Sequence, residues 1–276
     1  MKYNQPQTIE LPISASWMYM SDDHEYNTIP PFWSNINLKD VDVLNIGPAG
    51  IQSDGTFGLY NSGTTGDLAN RFKWIIQRAR SENSNIKIIV SQWWGDGHGV
   101  WGSALDLLTN EVAVARYADS VAAFLQSYLS VSGGVDGYDI DYESNNVVSN
   151  ISQITSLIRN NLDALSQANG GRPFYLTVSP ADTSYLKTAV SSLSFVNMQN
   201  YADLAPQDFT QLGLKPEQLL YGICPETGCG GPTVEQAESE YTENNLAGIH
   251  VWRLNSGNYV EEDQVQARVY SFLHPQ

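Results

Sequence analysis

Positive charge is scarce in this chain. Only 14 Lys and Arg stand against 30 Asp and Glu, a formal net charge of −16. Long-range repulsion from such a surface opposes nucleic acid and anionic membranes, so neither partner is expected. Long apolar runs are also absent: no stretch of 18 apolar residues exists, which excludes a membrane-spanning helix. Cysteine is limited to Cys224 and Cys229, with four residues between them in CPETGCGGP. A zinc site would need further Cys or His nearby, so neither metal nor cofactor is expected. Two free thiols or a small local disulfide fit the pair equally well. The opening MKYNQPQTIELP has no apolar core of a signal peptide. The sequon Asn150-Ile151-Ser152 leans weakly toward secretion, and an extracellular location is favoured over a cytoplasmic one.

Aromatic residues, by contrast, are plentiful, with 7 Trp and 15 Tyr among 276 residues. Most serve the core, but flat rings also stack on the apolar faces of sugars, and a neutral polysaccharide suits the charge. Eight β-rich runs recur along the chain, at 14–20, 41–47, 86–92, 137–143, 174–180, 195–201, 218–224 and 248–254. Several are continuously apolar, as parallel strands buried on both faces are. Helical periodicity lies between most of them. In 111–129 the residues Val114, Ala118, Val121, Leu125 and Tyr128 draw one apolar stripe behind an N-cap at Thr109 or Asn110. The segments 67–80, 149–167 and 233–245 read the same way, whereas 21–40 looks irregular. Eight strands alternating with helices predict an α/β fold, a single (β/α)8 TIM barrel over 1–276 with an irregular or missing early helix. A doubly wound open sheet usually carries a glycine-rich turn after its first strand, and SDDHEYN has no glycine.

The run Asp136-Gly137-Tyr138-Asp139-Ile140-Asp141-Tyr142-Glu143 carries the chemistry. On a strand, residues two apart share a face, so Asp139, Asp141 and Glu143 point one way and Tyr138, Ile140 and Tyr142 the other. Taken alone, the pattern more often describes a half-exposed antiparallel strand, wet on its acidic face and packed on its apolar face. Within a barrel the apolar face meets the helices and the acids turn inward, where desolvation makes them costly unless they serve a function. Neighbouring buried carboxylates resist joint ionisation, which raises apparent pKa values. Glu143 comes last, at the strand's C-terminal end where barrel active sites lie, and suits a general acid.

These residues resemble the DGxDxDxE signature of glycoside hydrolase family 18, the chitinases and endo-β-N-acetylglucosaminidases. The likeness extends to Ser91 at the end of strand three, to LTVSPA at 176–181, to Met198-Gln199-Asn200-Tyr201 and to Val251-Trp252. It implies substrate-assisted, retaining hydrolysis of a glycan containing β-1,4-linked N-acetylglucosamine, by a monomer, with chitin preferred over the chitobiose core of N-glycans. The roles implied are Glu143 as acid, Asp141 holding the acetamido N–H, and Asp139 tuning Asp141. Tyr201 and Gln199 would contact the acetamido group, and Trp252 would stack beneath the sugar. Trp17, Trp93, Trp94 and Met198 complete the expected substrate-binding set.

The chain departs from the family pattern at Gln92-Trp93-Trp94-Gly95-Asp96-Gly97, where a glycine pair is expected, and at Ala202-Asp203 after Tyr201. No long insertion separates strands seven and eight, so an open, shallow cleft is expected. Silent family members that only bind chitin typically lack the last acid, and Glu143 is present. The acidic run Asp22-Asp23-His24-Glu25 after strand one could hold a cation or a sugar, though a solvated loop is the commoner meaning. His98 and Trp101 could border the cleft, His250 reads as a satisfied barrel histidine, and His274 as inert.

Overall fold

The computed structural model describes residues 9–23, 25–59, 68–93, 105–144 and 147–275. Eight parallel strands close into a barrel: β1 (Ile13–Tyr19), β2 (Val43–Ile51), β4 (Lys87–Gln92), β5 (Gly137–Tyr142), β6 (Tyr175–Pro180), β7 (Phe195–Asn197), β8 (Leu219–Ile223) and β9 (Gly248–Val251). β1 pairs with both β2 and β9, which completes the ring. A short β3 (Phe57–Leu59) adds antiparallel to β2. The expected (β/α)8 architecture is therefore present, with strand bounds within a few residues of the sequence reading.

Its helical layer is incomplete. α1 (Ala69–Glu82), α2 (Glu111–Tyr128), α3 (Ile151–Ala168) and α5 (Val234–Asn244) fall where the periodicity placed them. The α2 stripe Val114, Ala118, Val121, Leu125 and Tyr128 is buried, and the Asn110 side chain caps the helix by accepting from Ala113 N at 3.0 Å. Between β1 and β2 the described residues form only a 3-10 turn, Pro31–Asn35. Two more such turns bridge β6 and β7, and a five-residue α4 (Pro206–Thr210) follows β7. A closing helix, α6 (Tyr259–Leu273), packs against β1 and β9.

What replaces a helix after β1 is one arginine. Arg71 on α1 is fully buried and spends its guanidinium on the irregular connection. It donates to the carbonyls of Met20 (2.6 Å), Glu25 (2.7 Å) and Thr28 (2.7 Å) and to both oxygens of Asp23 (2.7 and 2.8 Å). Buried carbonyls need partners, and a rigid planar fork supplies several at once.

The barrel interior is stratified along the strand register. Its floor is apolar, an inner cluster of Ile13, Ala15, Val43, Ile89, Tyr175, Phe195 and Leu220. Two residues further along each strand the lining turns polar: Asn45, Ser91, Asp139, Thr177 and Asn197 are all at most 2% exposed. Gly137 begins β5 because a Cβ there would lie 2.6 Å from the Tyr175 carbonyl oxygen. Asp136, the first acid of the run, lies below this level. It pairs with Arg80 and Arg172 and accepts from Ile88 N at 2.8 Å, an anchoring position away from the mouth.

Replacing Arg71 by Ala should cost about 3 kcal/mol, because it strands buried carbonyls and the Asp23 carboxylate. Urea denaturation checks this, read as a lower midpoint at unchanged slope; a loss under about 1 kcal/mol would mean the connection holds itself.

Candidate active site

β5 sets the site. Its outward residues Tyr138, Ile140 and Tyr142 are fully buried against the helices, and the Tyr138 and Tyr117 hydroxyls meet at 2.8 Å. That packing fixes the register and turns Asp139, Asp141 and Glu143 toward the barrel axis and its C-terminal mouth.

Asp139 is completely buried and has no cation beside it among the described residues. Three hydroxyls cradle it instead: Ser91 Oγ at 2.8 Å, Thr177 Oγ1 at 2.6 Å and Ser179 Oγ at 3.0 Å. These residues belong to the flanking strands, where Ser91 and Thr177 stand directly beside Asp139 in register. Desolvation outweighs the three hydrogen bonds and lifts the Asp139 carboxyl to about 6.

Asp141 and Glu143 share a hydrogen bond. Burial raises Asp141 well above the carboxylate range, with the charges of Glu143 and Asp139 adding to it. Burial also raises Glu143, which the hydrogen bonds from Gln199 and Asp141 oppose. Gln199 Nε2 straddles the pair, donating to Asp141 Oδ1 at 3.0 Å and Glu143 Oε1 at 3.3 Å, and it is itself located by the Ser179 carbonyl at 2.8 Å. Tyr201 sits on a 3-10 turn, Asn200–Ala202, because β7 ends at Asn197 instead of running on to 201. Burial and the charges of Asp141 and Glu143 push its hydroxyl far up, leaving it a neutral donor.

The mouth opens into a cleft of about 330 Å³ whose wall includes Asp141. Four aromatic rings line the opposite side. Trp17 lies edge-on to Trp252 at 5.3 Å, Tyr19 stands 6.3 Å from Trp252, and Trp93 stands 5.1 Å from Tyr19. The Trp252–Arg253 peptide is cis. Arg253, 8% exposed, lies over the rings of Tyr19 and Trp252 and pairs with Asp22 at 2.7 Å and Glu226 at 2.9 Å.

The structure thus brings together Asp139, Asp141, Glu143, Gln199, Trp17, Trp93 and Trp252, with Tyr201 beside the carboxylates. Met198 is a correction. Strand alternation sends residues 197 and 199 inward and Met198 outward, where it is fully buried in the outer core and offers only its carbonyl, to His250 Nε2 at 2.8 Å. His250 is fully buried and depressed to about 4 by desolvation, so it stays neutral, and its Nδ1 finds no partner among the described residues. Gly222 beside it leaves no room for a side chain, since a Cβ would lie 2.5 Å from His250 Nε2. His274 is not inert: its Nε2 meets Asp42 Oδ2 at 2.8 Å. The acidic run after β1, for which a solvated loop is the commoner meaning, is instead held by ion pairs, with Asp23 engaged by Arg71 and Asp22 by Arg253. Trp94, His98, Trp101 and His24 lie outside the described residues. Cys224 and Cys229 form a disulfide.

Sequence reasoning missed the hydroxyl cradle, Tyr19, Arg253 and Glu226. The signals were faint: a Glu between the two cysteines, and an Arg directly after the key Trp.

The family model for glycosyl hydrolases family 18 matches residues 15–217. The chain belongs to that family. The matched span runs from β1 past β7 and contains the whole carboxylate cluster. By fold it is similar to a family 18 chitinase from the chitin utilization locus of Flavobacterium johnsoniae, with a TM-score of 0.70, 16% identity and 95% of each chain covered. It is also similar to a chitinase-like agglutinin from Robinia pseudoacacia, with a TM-score of 0.69, 14% identity, 94% of this chain and 99% of that one. A family 18 chitinase from Cycas revoluta, in complex with (GlcNAc)3, gives a TM-score of 0.68, 16% identity and the same coverage, 94% and 99%. No curated protein matches the chain by sequence.

The raised Asp139 carboxyl has a consequence for stability. A folded-state value of about 6 against 3.8 means the folded protein holds this proton more tightly than the unfolded chain does. The associated stability is present below the unfolded value and is lost as pH climbs through 6. Asp139→Asn, which stays neutral, should therefore gain on wild type by about 3 kcal/mol between pH 3 and 7. Denaturation midpoints across that range test the sign; a parallel pair of curves would contradict it.

Proposed function

We propose that this barrel is a catalytic domain that hydrolyses β-1,4-linked N-acetylglucosamine glycans, chitin or chitooligosaccharides, with net retention and with the substrate's own acetamido group as nucleophile. The observation that carries the reading is the Asp141–Glu143 pair. Two hydrogen-bonded carboxylates bridged by one amide donor stand over a third acid cradled by hydroxyls, and Asp141 of the pair lines a cleft that is also walled by aromatic rings.

In this reading Glu143 protonates the leaving oxygen. It is the most accessible of the three acids, partly exposed just past the end of β5, and its raised pKa keeps the proton available. Asp141, relieved of its proton, accepts the acetamido N–H and sharpens the carbonyl oxygen for attack on the anomeric carbon. Its negative charge then stabilises the positive ring that forms. Asp139, two residues below, raises Asp141 by its charge when ionised and ceases to do so when protonated, so it sets how readily Asp141 gives up its proton. Tyr201 offers a neutral hydroxyl to the acetamido oxygen. Trp252 is the floor on which the acetamido sugar stacks, with Trp17 against its edge. After the leaving group departs, Glu143 takes a proton from the water that opens the intermediate. The carboxylate separation seen in two-carboxylate retaining enzymes is not required, because the nucleophile arrives with the substrate.

Glu143→Gln should reduce hydrolysis of a chromogenic di-N-acetylchitobioside by at least about a hundredfold while oligosaccharide binding persists, since general acid catalysis contributes on this scale. Undiminished turnover in that variant would falsify the assignment. A high-mannose glycoprotein offered beside the chitobioside separates chitinase from endo-β-N-acetylglucosaminidase, and binding without cleavage of either would indicate a lectin, as with the chitinase-like agglutinin whose fold it shares.

Gln199 gives a pH test. Its N–H bonds favour the ionised forms of Asp141 and Glu143 and so lower both carboxyls. Removing them raises the pair, and activity that needs the last proton persists to higher pH. Gln199→Ala should shift the alkaline limb of kcat/KM upward while lowering its height; a limb that moves down would overturn the bridging role.

A further inference from the structure

Trp252 has one polar atom, the indole Nε1, and everything that could fix the rotation of its ring acts through that atom or through packing. Nε1–H donates to Glu226 Oε2 at 3.0 Å. The other oxygen of the same carboxylate, Oε1, accepts from Arg253 Nη2 at 2.9 Å. Arg253 is tied from its far side by Asp22 at 2.7 Å and lies 5.6 Å from the Trp252 ring centroid, with Tyr19 at 5.3 Å. Glu226 belongs to the short segment that the Cys224–Cys229 disulfide closes directly after β8, and within it Cys229 N donates to the Glu226 carbonyl at 3.0 Å. The cross-linked turn thus has both ends fixed relative to the barrel and projects a single carboxylate back onto the aromatic wall.

We propose that Glu226 is a positioning residue for sugar binding, presented by the disulfide-closed turn, and that its carboxylate locks the Trp252 ring and Arg253 together as a preformed floor. The inference rests on Trp252 being the sugar floor. It assigns the two cysteines a task beyond stability: they hold the carboxylate at the range where it can serve the indole and the guanidinium at once. Both carboxylate oxygens are used, so glutamine can satisfy the indole or the arginine by its oxygen but presents an NH2 to the other. Freed from this clamp, the ring must be ordered at the moment of binding, and that ordering weakens affinity without altering the carboxylates.

Five proteins decide it: wild type, Glu226→Ala, Glu226→Gln, the pair Cys224→Ser with Cys229→Ser, and that pair combined with Glu226→Ala. Two readouts apply. One is the indole N–H resonance of Trp252, assigned by Trp252→Phe. The other is the Kd for tri-N-acetylchitotriose together with KM and kcat on para-nitrophenyl di-N-acetylchitobioside. Glu226→Ala should move the indole resonance and raise Kd and KM about three- to tenfold, the size expected for re-ordering one side chain on binding, with kcat changed less than about twofold. Glu226→Gln should fall between the two. The serine pair should raise KM in the wild-type background and add little to Glu226→Ala. An unmoved indole resonance in Glu226→Ala overturns the clamp, and a moved resonance with unchanged Kd and KM overturns its role in binding. If wild type binds the trisaccharide but cuts no substrate, the hydrolase reading fails and the Kd series still decides the positioning role. If wild type does not bind it at all, the sugar floor and this inference fall together.

Discussion

A carboxylate buried at the centre of a barrel, with no cation beside it among the described residues, is the constraint on which the site depends. Asp139 is tolerated because Ser91, Thr177 and Ser179 arrive from both flanking strands at hydrogen-bonding distance. Those three can arrive only in the observed register, and a slip of one residue on β5 would replace Asp139 by Tyr138 or Ile140. The same register puts Asp141 and Glu143 at the mouth. Burial then does the chemical work: the cluster holds its protons at pH values where exposed carboxyls would have lost them.

The layering beneath explains why the cluster is affordable. The lower interior is closed by aliphatic and aromatic side chains, and polarity begins only at the level of Asn45, Ser91, Asp139 and Thr177. The polar lining of the interior is thereby kept toward the open end, and the glycines Gly137 and Gly222 let the chains approach where a side chain would collide. Around this interior the helices do most of the covering, but the β1–β2 connection depends on Arg71, so the stability of a loop next to the cleft is set from α1.

Much of this was legible in the residues. The alternation of acids and aromatics in β5 located the site, and regular apolar spacing located α1, α2, α3 and α5. α6 escaped because its buried face carries Glu262 and Gln266 alongside Val269 and Leu273, so polar residues interrupt the stripe. Each has a specific partner: Glu262 serves Ser256, and Gln266 donates to Ser14 Oγ at 2.7 Å, contacts no pattern of hydrophobicity can show. Met198 was assigned to the cleft from its place in a motif, and strand alternation puts it on the other face. The disulfide could not be told from two thiols by spacing alone. The pairing of Arg253 with Asp22 joins residues more than 200 positions apart in sequence, and that with Glu226 spans 27, beyond any local signal.

The two halves of the cleft come from different arcs of the barrel. The carboxylate cluster stands on β5 with its supports on β4, β6 and β7, while the rings and their ionic fasteners stand on β1 and at the ends of β8 and β9, with Trp93 reaching over from β4. Substitutions that recast what the rings recognise can therefore accumulate on one arc without disturbing the acids on the other. The division lets the ring wall vary while the carboxylate cluster is kept.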